Sequence, residues 1–300
     1  MGPDVVKILV TGKNGQVGFE LQRALATLGE VIAIDHTGCD LADADAIRAL
    51  VRRVAPDVIV NPAAYTAVDK AESDQDTAFA VNARAPGVFG EEASRLGALV
   101  VHYSTDYVFD GAKEGSYAET DRPDPQSVYG STKYAGERAL AEANPRHLIL
   151  RTSWVVGAHG GNFAKTMLRL AAEREQLSVV ADQFGAPTSA ALLADLTAQL
   201  VRQYVREGAD GFPYGIYHVT AAGETSWYDY ARFVIAEAQG AGKTLRVDPD
   251  AVKPLTTTEY PTPAKRPANS RLNTDRFRTT FGLRLPPWQE SVRHVLQQIF

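Results

Sequence analysis

Seven residues near the start of the chain, Gly12-Lys13-Asn14-Gly15-Gln16-Val17-Gly18, restrict what it can fold into. They follow Lys7-Ile8-Leu9-Val10-Thr11, a short apolar, β-branched run that reads as a buried strand. They precede an apolar-periodic stretch through Leu21, Leu25 and Leu28 that reads as a helix. Strand, glycine-rich turn and helix together open a nucleotide-binding α/β unit. The glycines permit a tight turn and let backbone N–H groups approach a pyrophosphate, whose charge a helix N-terminus favours. The spacing is Gly-x-x-Gly-x-x-Gly, a departure from the Gly-x-Gly-x-x-Gly of dinucleotide sites, and a plain structural turn would also use three glycines. The next apolar run, Val31-Ile32-Ala33-Ile34, ends in Asp35, at about the 20-residue spacing expected of the acid that bonds an adenosine ribose. A carboxylate there repels a 2′-phosphate and no arginine follows at once, so Asp35 leans towards NADH over NADPH. Taken alone, Asp35 is equally a solvated acid at a strand end.

The alternation then continues: an amphipathic helix near 44–54, a strand Val58-Ile59-Val60, a long helical stretch over 77–96, and a strand Leu99-Val100-Val101-His102-Tyr103. Leu148-Ile149-Leu150 gives a further strand. Alternating elements imply an α/β fold of Rossmann type, a doubly wound parallel sheet covered by helices. Ligands in such sheets sit beyond the carboxyl ends of the strands. The polar segments Asn61-Pro62-Ala63-Ala64-Tyr65-Thr66 and Ser104-Thr105-Asp106-Tyr107 fall there, and Trp154 takes the same position after 147–151. Beyond about residue 155 the pattern turns irregular, with helices over 162–175 and 190–205, a strand over 215–219 and a helix over 227–238. The proline-rich stretch 249–267 reads as an ordered, extended region over a smaller lobe. Residues 1–155 form the dinucleotide-binding domain on this reading, completed by elements near 190–220, and 156–300 mainly a smaller α/β substrate lobe. A substrate is held between the two.

Within the first half, Tyr129 and Lys133 are four residues apart in Val128-Tyr129-Gly130-Ser131-Thr132-Lys133. On a helix that spacing puts both on one face, so an ammonium can lie beside a phenol and lower its pKa from about 10 towards working pH. A phenol tuned this way is a general acid or base, and with the hydroxyl of Thr105 it can assist the reduction of a carbonyl by a nicotinamide hydride. Tyr and Lys at this spacing are also common on ordinary amphipathic helices. The accompanying nucleotide site decides for chemistry.

Composition sets outer limits. The 300 residues carry a formal net charge of −5 with no basic stripe, which disfavours a nucleic-acid partner. The single Cys39 cannot form an internal disulfide, no run reaches membrane-span length, and nothing resembles a signal peptide, so a cytoplasmic location is expected. The six histidines show no metal-ligand spacing. Cys39 reads as a packed residue.

Taken together, the motifs resemble the extended short-chain dehydrogenase/reductase superfamily and, within it, the dTDP-4-dehydrorhamnose reductase family. The resemblance covers nearly the whole chain. It is carried by 12–25 (GKNGQVGFELQRAL), 67–73 (AVDKAES), 102–111 (HYSTDYVFDG), 128–137 (VYGSTKYAGE) and 151–155 (RTSWV). In the second half it is carried by 162–171 (NFAKTMLRLA), 182–188 (DQFGAPT), 225–231 (TSWYDYA) and 266–274 (RPANSRLNT). It implies reduction of the 4-keto group of dTDP-4-dehydro-L-rhamnose to dTDP-L-rhamnose by NADH or NADPH, the last step in making that activated sugar for cell-surface polysaccharide. It further implies that Tyr129 donates the proton, that Thr105 bonds the same oxygen and that Lys133 holds the nicotinamide ribose. Gly12, Gly15, Gln16 and Val17 would line the pyrophosphate, Asp35, Asp40 and Leu41 the adenosine, and Ala64, Tyr65 and Thr66 the middle of the cofactor. Asp106 and Trp154 would meet the sugar. Arg266 and Arg271 are candidate diphosphate partners, since a guanidinium fork matches phosphate oxygens.

Some members of this family carry a magnesium ion held by glutamates at a dimer interface. Here Glu20 stands in the first such position, with Ala191 and Gln298 in the others. A hard cation wants several oxygen ligands, so no structural metal is expected, and the chain is expected to be a monomer or a homodimer. Two alternatives stay open: a related epimerase or dehydratase, and a non-catalytic regulatory subunit of the same fold. Elimination needs a further acid, and Asp106 is followed by Tyr107. A purely binding protein need not keep Tyr129, Lys133 and Thr105 together.

Overall fold

Six strands pair in parallel in the order Gly215–His218, His147–Thr152, Leu99–Thr105, Val58–Asn61, Lys7–Val10, Glu30–Ala33. The structure is a computed structural model that describes residues 5–300. From Lys7–Val10 the chain steps outward to Glu30–Ala33, then returns to Val58–Asn61 on the other side. The strand order therefore reverses beside Lys7–Val10, and a crevice opens at the carboxyl ends there.

Parallel pairing requires crossovers, and helices supply them on both faces. Gln16–Leu25 and Ala190–Glu207 cover one face, burying Leu21, Leu25, Leu193 and Leu200 against Ile8, Val10 and Val60. Ala44–Val54, Ala85–Leu96 and Val128–Ala143 cover the other, where Ile47, Leu50, Phe89 and Leu140 meet Leu9, Ile59 and Ile149. Strands covered on both sides must be apolar throughout, which is why Ile8-Leu9-Val10 and Val58-Ile59-Val60 show no exposed surface. Side-chain caps mark where several helices begin: Asp43, Ser127, Asn162, Ser189 and Ser226 each accept backbone N–H groups of the first turn.

Several sequence expectations need adjusting. The helix expected over 77–96 is interrupted: Gln75–Phe79 passes into a wider π turn at Ala80–Arg84 before Ala85–Leu96 resumes. In the proline-rich stretch, Val252–Leu255 forms a strand parallel to Leu177–Val180, in a two-stranded sheet that tolerates Pro254. The helices Asp275–Phe281 and Trp288–Ile299 had no sequence counterpart. Trp288–Ile299 packs with Phe163–Glu173 and Trp227–Gly240 around an apolar cluster that includes Ala164, Val234, Trp288 and Val295, and the latter two helices share a second cluster that includes Met167, Ala231 and Ile235. Among the described residues, no helix is long and apolar enough to cross a membrane.

Candidate active site

The crevice at the strand reversal is a cavity of about 810 Å³, towards the upper end of the roughly 300–1,000 Å³ common for ligand pockets. At one end lies the glycine turn. Gly12 has φ +61, and a Cβ on it would lie 3.0 Å from the Ala63 side chain. A Cβ on Gly18 would lie 2.0 Å from Gly12 O, so that position admits no side chain while the turn and the Gln16–Leu25 helix stay packed. The result is a backbone cradle at a helix N-terminus, suited to a pyrophosphate. Gln16 ties it to the second half: its Nε2 donates to Val155 O at 3.4 Å and its Oε1 accepts from Asn162 Nδ2 at 3.0 Å.

Asp35 sits at the outer edge of the cradle. Its carboxylate accepts from Thr37 N at 3.0 Å and Asn14 Nδ2 at 2.9 Å, and lies 3.4 Å from Lys13 Nζ. Hydrogen bonds from Thr37 and Gly38, aided by Lys13, hold it well below the usual carboxylate range, so it is an anion at any working pH. Asp40 and Leu41 complete this end, and Cys39, buried among apolar neighbours, also reaches the cavity wall.

At the other end the Leu99–Thr105 strand and the Val128–Ala143 helix bring Thr105, Asp106, Tyr129 and Lys133 to one wall, with Trp154 lining the cavity just past the carboxyl end of the His147–Thr152 strand. Ser127 caps the helix through Gly130 N at 3.2 Å. Gly130 and Gly136 allow its close approach, because Cβ atoms there would lie 2.2 Å from Tyr107 O and 2.0 Å from Asn82 O. Asn82, in the π turn, grips the Tyr65 backbone from both sides, accepting from its N–H at 2.8 Å and donating to its carbonyl at 3.1 Å.

Electrostatics at this wall depart from the sequence expectation. Lys133 Nζ does not lie against the phenol of Tyr129. It donates to Tyr103 O at 2.6 Å and lies 3.3 Å from His102 Nε2. Burial pushes Tyr129 up to about 12, Asp106 adds to the rise, and the Thr105 hydroxyl opposes it. Burial also brings Lys133 down to about 8, against the pull of Glu137. The phenol is thus held as an acid with a proton to give. Asp106 is raised to about 6 by burial, with Oδ1 3.0 Å from Thr105 Oγ1. Its Oδ2, with Ser104 Oγ and Thr152 Oγ1, is buried without a hydrogen-bond partner, and all three residues line the cavity. Buried polar atoms are rarely left unpaired, so this cluster is built for a polar ligand.

Of the residues singled out from sequence, Gly12, Gly15, Gln16, Val17, Asp35, Asp40, Leu41, Ala64, Thr66, Thr105, Asp106, Tyr129, Lys133 and Trp154 share this one cavity. Tyr65 does not line it; its hydroxyl donates to Asp74 Oδ2 at 2.9 Å. Nor do Arg266 and Arg271. Arg266 Nη2 is bonded to Asp69 Oδ2 at 2.7 Å, and Arg271 lies over the Phe184 ring with Nε on Asn269 Oδ1 at 2.9 Å. Both guanidinium groups already have partners outside the cleft wall. The sequence reading missed Trp227, which lines the cavity and stacks on Trp154, and the Gly160-Gly161 pair, whose adjacent glycines were a usable signal for a close backbone approach. On the surface, Glu20 pairs with Arg23 at 3.4 Å. Among the described residues, no group of three or more His, Cys, Asp or Glu is placed to hold a metal.

Comparison with known proteins agrees with this geometry. Residues 6–300 match the family model for the RmlD substrate binding domain. The chain is 50% identical over 299 residues to the dTDP-4-dehydrorhamnose reductase of Escherichia coli K12, covering 98% of each sequence. It is similar to the crystal structure of a dTDP-4-dehydrorhamnose reductase from Clostridium acetobutylicum, with TM-score 0.88 and 38% identity over 97% of this chain and 99% of that one. It is similar also to the Bacillus anthracis reductase solved in complex with NADP, with TM-score 0.88 and 34% identity over 98% of this chain and 99% of the other.

Proposed function

This chain belongs to the dTDP-4-dehydrorhamnose reductase family, and from that membership we propose a role for each side chain around its cleft. The enzyme reduces the 4-keto group of dTDP-4-dehydro-L-rhamnose to give dTDP-L-rhamnose, using a nicotinamide cofactor. The observation that carries the assignment is full-length similarity to reductases combined with one cavity that joins the glycine cradle to Tyr129, Lys133, Thr105 and Asp106. When bound, the reduced nicotinamide supplies a hydride to C4 of the sugar.

The chain's own residues do the rest. Tyr129, held protonated by burial, gives its proton to the oxygen at C4 as charge develops there. Thr105, whose hydroxyl donates to Asp106 Oδ1 at 3.0 Å in the structure, would turn that donor to the same oxygen and stabilise the developing charge. Lys133, held by Tyr103 O at the cavity wall, binds the nicotinamide ribose. Asp106 and Trp154 position the sugar ring. The cradle of Gly12, Gly15, Gln16 and Val17 takes the pyrophosphate, Asp35, Asp40 and Leu41 the adenosine, and Ala64 and Thr66 the middle of the cofactor, with Tyr65 steadying that loop. Arg266 and Arg271 would have to exchange Asp69 and Glu224 for substrate phosphates to act as diphosphate partners.

For the cofactor we propose that both NADH and NADPH are used. Asp35 favours ribose hydroxyls, and Lys13 beside it offers a cation to a 2′-phosphate. Residues 1–155, with the sheet strand and helix contributed from 190–220, would hold the dinucleotide and 156–300 mainly the nucleotide sugar. Glu20 is engaged by Arg23 and lacks carboxylate companions at Ala191 and Gln298, so we assign no metal to that surface. The setting is the cytoplasm, where nucleotide sugars are made, and the chain acts as a monomer or homodimer. Product analysis tests the assignment. NMR should identify dTDP-L-rhamnose after incubation with dTDP-4-dehydro-L-rhamnose and reduced cofactor; an unconverted substrate, or a sugar of other C4 configuration, would overturn it.

A further inference from the structure

His102 is completely buried on the Leu99–Thr105 strand and has no part in the chemistry above. Its ring stands between two side chains. Nε2 is 3.3 Å from Lys133 Nζ, and Nδ1 is 3.1 Å from the side-chain amide of Asn61, its neighbour across the sheet. The other end of that amide is 2.6 Å from Thr11 Oγ1, which also accepts from Ala63 N at 3.3 Å. Thr11, Asn61, His102 and Lys133 thus form one buried string beneath the cleft, from the residue before the glycine turn to the lysine at the reacting end.

Donor and acceptor chemistry fixes how this string is wired. An ammonium only donates, so Nε2 must accept and be free of a proton. A neutral ring then carries its hydrogen on Nδ1, and that hydrogen needs an acceptor. The Asn61 amide supplies one by presenting Oδ1, turning its NH₂ towards Thr11. As placed in the structure, Nδ2 faces His102 Nδ1 and Oδ1 accepts from Thr11 Oγ1; the two ends are nearly isosteric, so this requires that they exchange places and that the Thr11 hydroxyl turn its proton to another acceptor. An imidazolium would set two donors against the lysine and the buried site. Burial, with Lys133 adjacent, holds the ring well below its ordinary pKa, in keeping with a neutral imidazole.

We propose that His102 is a positioning residue for the reduction: a neutral imidazole, fixed by Asn61 in the tautomer with hydrogen on Nδ1, that holds the Lys133 ammonium from behind. The inference rests on the role given to Lys133 above. The other charged or titratable groups around the lysine are Glu137, one turn along its helix and paired with Arg151, and Tyr129 and Asp106 on the cleft wall. Without an acceptor at position 102, Lys133 keeps Tyr103 O alone. The ammonium becomes less favourable, so Lys133 loses its proton, and with it its hold on the ribose, from a lower pH upward. A lost hydrogen bond to a charged group corresponds to roughly a tenfold change.

Two measurements test this. In cofactor-free protein, ¹⁵N NMR of the imidazoles, with His102 assigned by its loss in His102→Phe or His102→Gln, should show a neutral ring protonated on Nδ1 across neutral pH. A ring protonated on Nε2, or an imidazolium, would overturn the proposal. That readout needs neither cofactor nor turnover, so it stands or falls apart from the roles given to Tyr129 and Lys133. In the enzyme, His102→Phe should weaken reduced-cofactor binding about tenfold, followed by cofactor fluorescence, and move the alkaline limb of kcat about one pH unit lower. His102→Gln, whose Oε1 can accept from Lys133, should restore both. Unchanged binding and pH profile in His102→Phe, or equal damage in both variants, would show that His102 only fills space.

Discussion

The indole of Trp154 lies face to face with that of Trp227, ring centroids 3.6 Å apart and planes 16° from parallel. Trp154 adopts φ +49, a left-handed backbone that a bulky residue rarely accepts, and Gly185 leaves room beside it: a Cβ there would come within 2.7 Å of the indole. The strain in this bend after the His147–Thr152 strand is held by packing on Trp227, at the start of the Trp227–Gly240 helix. Trp227→Ala should release Trp154 and raise KM for the sugar up to about tenfold, since aromatic pairs contribute about 0.5–1.5 kcal/mol beyond area. Loss of an indole–indole couplet in near-ultraviolet circular dichroism should accompany it. An unchanged KM would mean that Trp154 does not position the sugar.

Asp106 makes stability depend on pH in an unusual direction. Its folded pKa of about 6 lies above the ordinary 3.8, so the folded protein binds a proton that the unfolded chain has already released. The destabilisation is complete above pH 6 and disappears as pH falls towards 4. Asp106→Asn should therefore be more stable than the parent above pH 6, by on the order of 3 kcal/mol. Urea unfolding at several pH values would read the gap closing with acid, and a gap that widened below pH 6 would refute this account of the carboxyl.

Glu137 and Arg151 form a buried bidentate pair, with Arg151 Nε 2.8 Å from Oε1 and Nη2 2.6 Å from Oε2. The guanidinium also lies 5.1 Å from the Phe109 ring centroid, while its Nη1 has no partner. Removing one member strands a buried charge. Glu137→Leu should cost about 3–5 kcal/mol in denaturant unfolding, and adding Arg151→Met should recover much of it. Full loss in the double variant would point to packing in place of charge.

Cofactor choice should move with two side chains. Asp35→Ala removes repulsion of a 2′-phosphate and should raise the NADPH to NADH ratio of kcat/KM, while Lys13→Ala should lower it. Each change should be about tenfold, the effect of one charge-assisted contact of about 1.5 kcal/mol. If neither variant changed the ratio, the adenosine ribose would have to lie elsewhere.

Much of this was legible in the sequence because a two-sided parallel sheet demands uninterrupted apolar strands. Ile8-Leu9-Val10 and Val58-Ile59-Val60 satisfy that demand, and Gly18, in the first turn of Gln16–Leu25, sits where a side chain would collide with the Gly12 backbone. Fourteen of the residues singled out reach one cavity because strand carboxyl ends converge whatever the loop composition. Less visible was anything decided by tertiary partners. The π turn at Ala80–Arg84 carries Asn82, whose side chain holds the Tyr65 backbone, and no local propensity signals it. Four-residue spacing put Tyr129 and Lys133 on one helix but could not reveal that Tyr103 O and His102 claim the ammonium. Nor could a guanidinium's suitability for phosphate show that Arg266 is turned to Asp69.

The central claim is that Tyr129 donates the proton in reduction of the 4-keto group. Its most direct test is the loss of reduced-cofactor absorbance with dTDP-4-dehydro-L-rhamnose, comparing the parent with Tyr129→Phe, alongside cofactor binding to each. The account predicts substrate-dependent oxidation that falls by roughly 10²-fold or more in the variant while cofactor affinity stays near that of the parent. Turnover unchanged by Tyr129→Phe, in protein that still binds cofactor, would contradict it.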